Sequence, residues 1–227
     1  MRTRVKICCM TSPADVRAAA VAGADCIGVV GPMPSGPGPV DDDTARAVIA
    51  AAPPGVTPIL LTQETEIQGL MRHVRATHAT VVQLVRHVDP RLHADIREVL
   101  PWVKIVQVVH VEGEAAIELA RGYALTADAL LLDSGNPSPV HIHDGAVETL
   151  GGTGRVHDWR LSRQIVSLVE KPVYLAGGVT QANVADAIAA VRPFGIDLCS
   201  GVRTLGKLDL RKLTGFFATL RAAERTV

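Results

Sequence analysis

Three kinds of residue in this chain could do chemistry. Two adjacent cysteines, Cys8 and Cys9, close the first apolar run, "VKICC". A thiolate is both base and nucleophile, so a thiol at a strand end is a candidate for either role. Core filler, a metal ligand and a disulfide partner are the other uses of such a pair. Asp133 closes another apolar run, "LLLDS". An unpaired charge is costly to bury, so a carboxylate there is a candidate acid or binding group, with a loop cap as the alternative. The third kind is glycine: "GGTG" at 151–154, "AGG" at 176–178 and "CSG" at 199–201. Lacking a Cβ, such turns let backbone N–H groups approach an anion closely.

These residues need elements to position them. Eight near-continuous apolar runs read as parallel strands covered on both faces: "VKICC", "CIGVV", "TPILLT", "VVQLV", "KIVQVVHV", "ALLLD", "PVYLAGG" and "IDLCSG". Amphipathic stretches alternate with them, from "SPADVRAAAVAG" to "DLRKLTGFFATLRAAE", where Phe216, Phe217 and Leu220 have the spacing of a packing face. Ser12 before Pro13 reads as an N-cap pair, and Thr180 as the cap of "QANVADAI". Eight strand–helix units in 227 residues give about 28 residues per unit, close to a minimal barrel. The expectation is an α/β chain, a (β/α)8 TIM barrel forming a single domain over 1–227; a doubly wound open sheet is the runner-up. In a barrel the active site lies at the C-terminal strand ends, where Cys8, Asp133 and the glycine turns all fall. Side-chain alternation sends one of the two cysteines into the mouth and the other toward the helices. Lys6 shares a face with Cys8, and Ala129 and Leu131 share one with Asp133. Two connections are long, 31–40 and 134–157, and read as structureless functional loops.

Composition limits the partners. Hydrophobic residues make up 48 % and charged residues 20 %, with zero formal net charge and no long basic run. That argues against nucleic acid or an anionic membrane surface. No apolar run reaches the roughly 18 residues of a membrane span, and "MRTRVKICCM" leads into no signal-like apolar region. Four cysteines without C-x-x-C spacing read as free thiols in a reducing cytoplasm. His141, His143, Asp144 and His157 invite a metal reading, but the segment is Pro-rich and lacks a third ligand of fixed spacing. A solvated or substrate-contacting loop is preferred, with no metal.

The ordered set "KICC", "LLLDS", "GGTGRVHDW", "LAGGV" and "LCSGV" resembles the phosphoribosylanthranilate isomerase family, whose motifs look like "KICG", "LLLDS", "GGTG" followed by "DW", "AGG" and "SSGV". The resemblance spans almost the whole chain and implies a small (β/α)8 barrel. It implies an Amadori isomerase of tryptophan synthesis, active on N-(5-phosphoribosyl)anthranilate without metal or redox cofactor, in the cytoplasm, as a monomer or homodimer. Cys8 matches the family's general base and Asp133 its general acid. Gly177, Gly178, Ser200 and Gly201, with Gly154 on the strand-six loop, match its phosphate site. Cys9 takes the place of the family's glycine and reads as packing.

The aglycone end departs from the pattern. The family's S-x-R loop after strand two reads "PMPSGPGPV" here, without arginine, and "QLHG" reads "QLVR". Arg155, Arg86 and Arg203 are then the candidate partners of the substrate carboxylate; Arg203 stands where the family tends to carry glutamate. The alternatives are a related isomerase with a different aglycone, or a non-catalytic barrel that binds a sugar phosphate. The histidine-pathway isomerase fits less well, because it resembles a barrel with an aspartate base where Cys8 stands.

Overall fold

The computed structural model describes residues 2–34, 36–134, 139–142, 145–148 and 157–225. The chain alternates β1 (Arg4–Ile7), α1 (Pro13–Ala22), β2 (Cys26–Val30), α2 (Asp42–Ala50), β3 (Thr57–Thr62), α3 (Ile67–Thr77), β4 (Val81–Leu84), α4 (Pro90–Val99), β5 (Lys104–His110), α5 (Ala115–Ala124) and β6 (Ala129–Asp133). After β7 (Pro139–Ile142) and β8 (Gly145–Glu148) come α6 (Trp159–Leu168), β9 (Val173–Leu175), α7 (Val184–Val191), β10 (Gly195–Leu198) and α8 (Leu210–Glu224). Two short strands, β11 (Arg203–Thr204) and β12 (Lys207–Leu208), form a tight hairpin before α8. The strands β1 to β6, β9 and β10 pair in parallel into a closed barrel, sealed where β1 meets β10. The eight-unit expectation holds and the open sheet is excluded.

Local signals explain the helix starts. Ser12 Oγ accepts the Asp15 N–H ahead of Pro13, and Gly23, at φ +107°, ends α1 in the left-handed form that glycine tolerates. Aspartates 41, 89, 158 and 209 cap α2, α4, α6 and α8 through their side chains. Phe216, Phe217 and Leu220 of α8 are buried as expected.

Two expectations need correction. Thr180 is not the cap of α7: the helix starts at Val184, and Asn183 Oδ1 accepts the Thr180 N–H in a turn before it. The long connection after β6 is not structureless. It contains the antiparallel hairpin β7–β8, with Val140 opposite Val147. The prolines in "NPSPVHIHDG" hid a short two-stranded pairing, in which Pro139 occupies a strand's first residue, where it is tolerated.

Barrel closure also demands a glycine. A Cβ on Gly195 would lie 2.6 Å from Tyr174 Cε1 and 3.1 Å from the Arg4 carbonyl oxygen. The Tyr174 ring has little room to yield, since it is buried and packs edge-on against Phe194 at 5.5 Å. Gly195→Ala is expected to destabilise the fold by about 1–3 kcal/mol, seen as a lower urea midpoint. An unchanged midpoint would mean that the ring moves freely.

Candidate active site

The C-terminal strand ends surround an open cavity with about 740 Å³ of empty space. Its floor is set by the β1–β10 register, which places Lys6 opposite Asp197. Both side chains turn into the barrel, with Lys6 Nζ 2.8 Å from Asp197 Oδ2 and only 1 % and 8 % of the side-chain surfaces exposed. Burial alone would push the Lys6 ammonium toward neutrality. The charge of Asp197, joined by Cys8, outweighs it and holds the lysine above its usual range.

Cys8 lies one residue beyond β1, and its N–H still donates to the Leu198 carbonyl. Its sulfur and the Lys6 ammonium share the space above Gly28 on β2. A Cβ there would be 2.8 Å from Cys8 Sγ and 3.0 Å from Lys6 Nζ, so glycine makes the room for both. Cys9 breaks the strand alternation. Its φ of +63° is left-handed, a conformation that favours glycine. Both cysteines therefore line the cavity, and the expectation that one faces the helices is overturned. The same backbone explains why glycine stands here in the motif that "KICC" resembles. Cys9 Sγ lies 2.6 Å from Cys199 Sγ. Contacts with Cys199 and Cys8, together with burial, push the Cys9 thiol up.

Asp133 lines the same cavity at the end of β6. Its Oδ1 accepts the Ser134 N–H at 2.7 Å. Burial pushes its carboxyl above the usual carboxylate range, although His110 and the Ser134 N–H pull the other way. His110 sits beside it in register on β5 and donates through Nε2 to the Val85 carbonyl at 3.0 Å.

The glycine turns stand at the same mouth. Gly177 and Gly178 have φ of +78° and +66°. A Cβ on Gly177 would collide with Ser134 Oγ at 2.6 Å, and one on Gly201 with the Val179 carbonyl oxygen at 2.5 Å. Gly177, Gly178 and Ser200 line the cavity, and Gly201 packs immediately behind. Gly154 and Arg155 lie outside the described residues, as do His143 and Asp144.

Two of the candidate arginines can be placed. Arg203 is buried beneath the Cys8–Cys9 turn, where it donates to the carbonyls of Cys8 at 2.8 Å, Cys9 at 2.6 Å and Gly206 at 3.2 Å. Its Nη atoms are committed to backbone, while Nε is buried without a nitrogen or oxygen partner among the described residues and the Cys199 thiol also contacts the group. Arg86 follows β4 and is half-buried, with Nη2 3.4 Å from Gln63 Oε1. His157 pairs with Ser162 Oγ at 2.6 Å, and burial pushes the imidazole down to about 4. It therefore helps to hold the start of α6 as a neutral group. Among the described residues, no group of three or more His, Cys, Asp or Glu is placed to hold a metal ion.

Two cavity residues carried a sequence signal that pattern reading passed over. Gln83 and Asp197 are polar groups inside apolar strand runs, and both line the cavity. Gln83 Oε1 and Asp197 Oδ1 are buried without a hydrogen-bond partner among the described residues. Such acceptors are costly unless a ligand satisfies them.

A family model for N-(5'phosphoribosyl)anthranilate (PRA) isomerase matches residues 5–219. The N-(5'-phosphoribosyl)anthranilate isomerase of Methanocella arvoryzae is 37 % identical over 98 % of this chain and 100 % of its own length. Phosphoribosyl anthranilate isomerase from Thermus thermophilus superimposes with a TM-score of 0.80 at 26 % identity, covering 97 % of this chain and 99 % of that one. A phosphoribosyl anthranilate isomerase solved in complex with reduced 1-(o-carboxyphenylamino)-1-deoxyribulose 5-phosphate gives 0.78 at 25 % identity, covering 97 % and 99 %. The closed barrel, the order of the strand-end motifs and a family match that runs almost from end to end agree: this chain belongs to the N-(5'-phosphoribosyl)anthranilate isomerase family.

Proposed function

We propose that this chain converts N-(5'-phosphoribosyl)anthranilate into its aminoketose in tryptophan biosynthesis, with Cys8 as general base and Asp133 as general acid. The observation that carries the assignment of roles is that both groups line one cavity edged by the glycine turns. Asp133, whose carboxyl burial pushes up, gives its proton to the furanose ring oxygen, and the ring opens to a Schiff base. Cys8 then removes the proton on sugar C2, and the resulting enolamine becomes the aminoketose. The Lys6 ammonium stands beside the sulfur, with Gly28 leaving room for both. Backbone amides of the turns at Gly177, Gly178, Ser200 and Gly201, joined by Gly154, take the phosphate. The buried acceptors of Gln83 and Asp197 suit the sugar hydroxyls.

At the aglycone end, Arg155 and Arg86 are the proposed carboxylate partners. Arg203 instead positions Cys8, because its donors already hold the carbonyls of the turn. The protein acts in the cytoplasm, a reading supported by its four free thiols, and as a monomer or homodimer. Among the described residues, no helix is long and apolar enough to cross a membrane. Rescue of a tryptophan auxotroph lacking this isomerase, followed by assay of the purified protein, tests the reading as a whole.

Cys8→Ser is expected to lower kcat by about 10²–10⁴-fold with the fold intact by circular dichroism, since a hydroxyl is a far poorer base. Full activity in Cys8→Ser would remove the assignment. Asp133→Asn keeps the shape and loses the transferable proton. It should abolish turnover yet still bind the reduced aminoketose phosphate in calorimetry; loss of binding as well would make Asp133 a ligand-orienting group. Arg86→Ala should raise KM for phosphoribosylanthranilate more than for an analogue without the carboxylate, by about 1.5–3 kcal/mol for a lost charge-assisted bond. Equal effects on the two substrates would free Arg86 from that role, and the same outcome for Arg155 would favour a different aglycone.

A further inference from the structure

Cys9 and Cys199 are not used by the proposed mechanism. They stand where the "KICG" and "SSGV" motifs carry glycine and serine, at the ends of the two strands that close the barrel. Their sulfurs are 2.6 Å apart. That is about half an ångström longer than an S–S bond of ~2.05 Å. We propose that Cys9 and Cys199 form a disulfide site, which a peroxide-class oxidant closes reversibly, stapling β1 to β10 and leaving Cys8 free.

Several features of the fold hold the pair ready. The left-handed backbone at Cys9 directs its side chain toward β10. Arg203 grips the Cys8 and Cys9 carbonyls and so fixes the turn. Both thiols line the open cavity, so a small oxidant reaches them from the mouth. Cys26 instead pairs with the Tyr174 hydroxyl at 3.6 Å. Cys9 also contacts the Cys8 thiol. A bond between these neighbours would close a small ring across a peptide that strongly prefers to be trans and planar. The pairing with Cys199 requires no such distortion.

The chemistry divides between the two sulfurs. The Cys9 contact lowers the Cys199 thiol; burial opposes this and Arg203 supports it, which makes Cys199 the first nucleophile. Its thiolate attacks one oxygen of hydrogen peroxide. The O–O bond breaks, an S–O bond forms, and the departing hydroxide takes the proton that Cys199 released. Cys9 then attacks the sulfenic sulfur. The S–S bond forms, the S–O bond breaks, and the second oxygen leaves as water with the Cys9 proton. Two thiols lose two electrons and two protons, and one peroxide becomes two waters. A thiol reductant reverses the bond by exchange.

The consequence is mechanical. The bond spans 190 positions of sequence, so it constrains the unfolded chain over most of its length. It also joins the first and last barrel strands at their only mutual edge. The proposal does not rest on the isomerase reading, and its test uses no turnover.

The reduced full-length protein is treated with equimolar hydrogen peroxide, its free thiols are alkylated, and its peptides are mapped without reduction. A Cys9–Cys199 link with Cys8 alkylated is expected, together with a rise in Tm of about 5–15 °C that dithiothreitol reverses. Cys9→Ser and Cys199→Ser should each abolish the rise, and Cys8→Ser should keep both the link and the rise. A Cys8–Cys9 link, no link in the wild-type map, or a rise that survives in Cys199→Ser would overturn the proposal. The wild-type map decides alone if a serine variant fails to fold.

Discussion

Lys6 and Asp197 face each other at 2.8 Å inside a barrel interior otherwise filled largely by Val, Ile and Leu. Removing both charges from water is costly, and the pair offsets that cost only while its geometry is kept. Taking away one partner would strand the other, at about 3–5 kcal/mol. The pair therefore acts on the register of β1 against β10. A one-residue slip would turn Lys6 and Asp197 to opposite faces. Alternation along β1 sets the Cys8 sulfur on the same face as the ammonium, over the space that Gly28 leaves on β2.

Around that floor the mouth is built from residues that lack bulk. Gly177 and Gly178 turn through left-handed conformations, and side chains at Gly177 or Gly201 would strike Ser134 or Val179. These close approaches leave backbone amides at the rim. Strand β6 brings Asp133 to the same cavity, where burial makes the protonated carboxyl the easier form to keep. A thiol beside an ammonium and a carboxyl pushed up by burial line one cavity, an arrangement that suits an acid and a base working in sequence.

The two proposed ends of the site differ in how they are built. The proposed sugar-phosphate end rests on strand termini and glycine turns. The proposed aglycone end rests on loops. The loop after β2 carries no arginine, and Arg86 reaches over from the end of β4 to Gln63. Arg203 has been recruited inward, where it ties the Cys8–Cys9 turn to the hairpin before α8. The arginine at this position thus supports the backbone under the proposed base.

Much of the barrel was legible in the sequence because βα alternation is a local pattern: apolar runs, amphipathic stretches and a Ser-Pro start each declare themselves within a few residues. Asp133 was legible for the same reason, as a charge closing an apolar run. The hairpin at 139–148 was not, since a two-stranded pairing leaves little more than its turn in the sequence, and prolines masked it. Nor was the role of Arg203, because the Cys8 and Cys9 carbonyls that it holds lie 195 and 194 positions away. The left-handed Cys9 and its contact with Cys199 depend on where β1 stops against β10, a register that only barrel closure sets. Sequence alone determined which elements form and which residue types stand at their ends. Tertiary structure decided which of those ends meet, because pairing between distant strands is settled by burial and hydrogen bonding summed over the whole closed sheet.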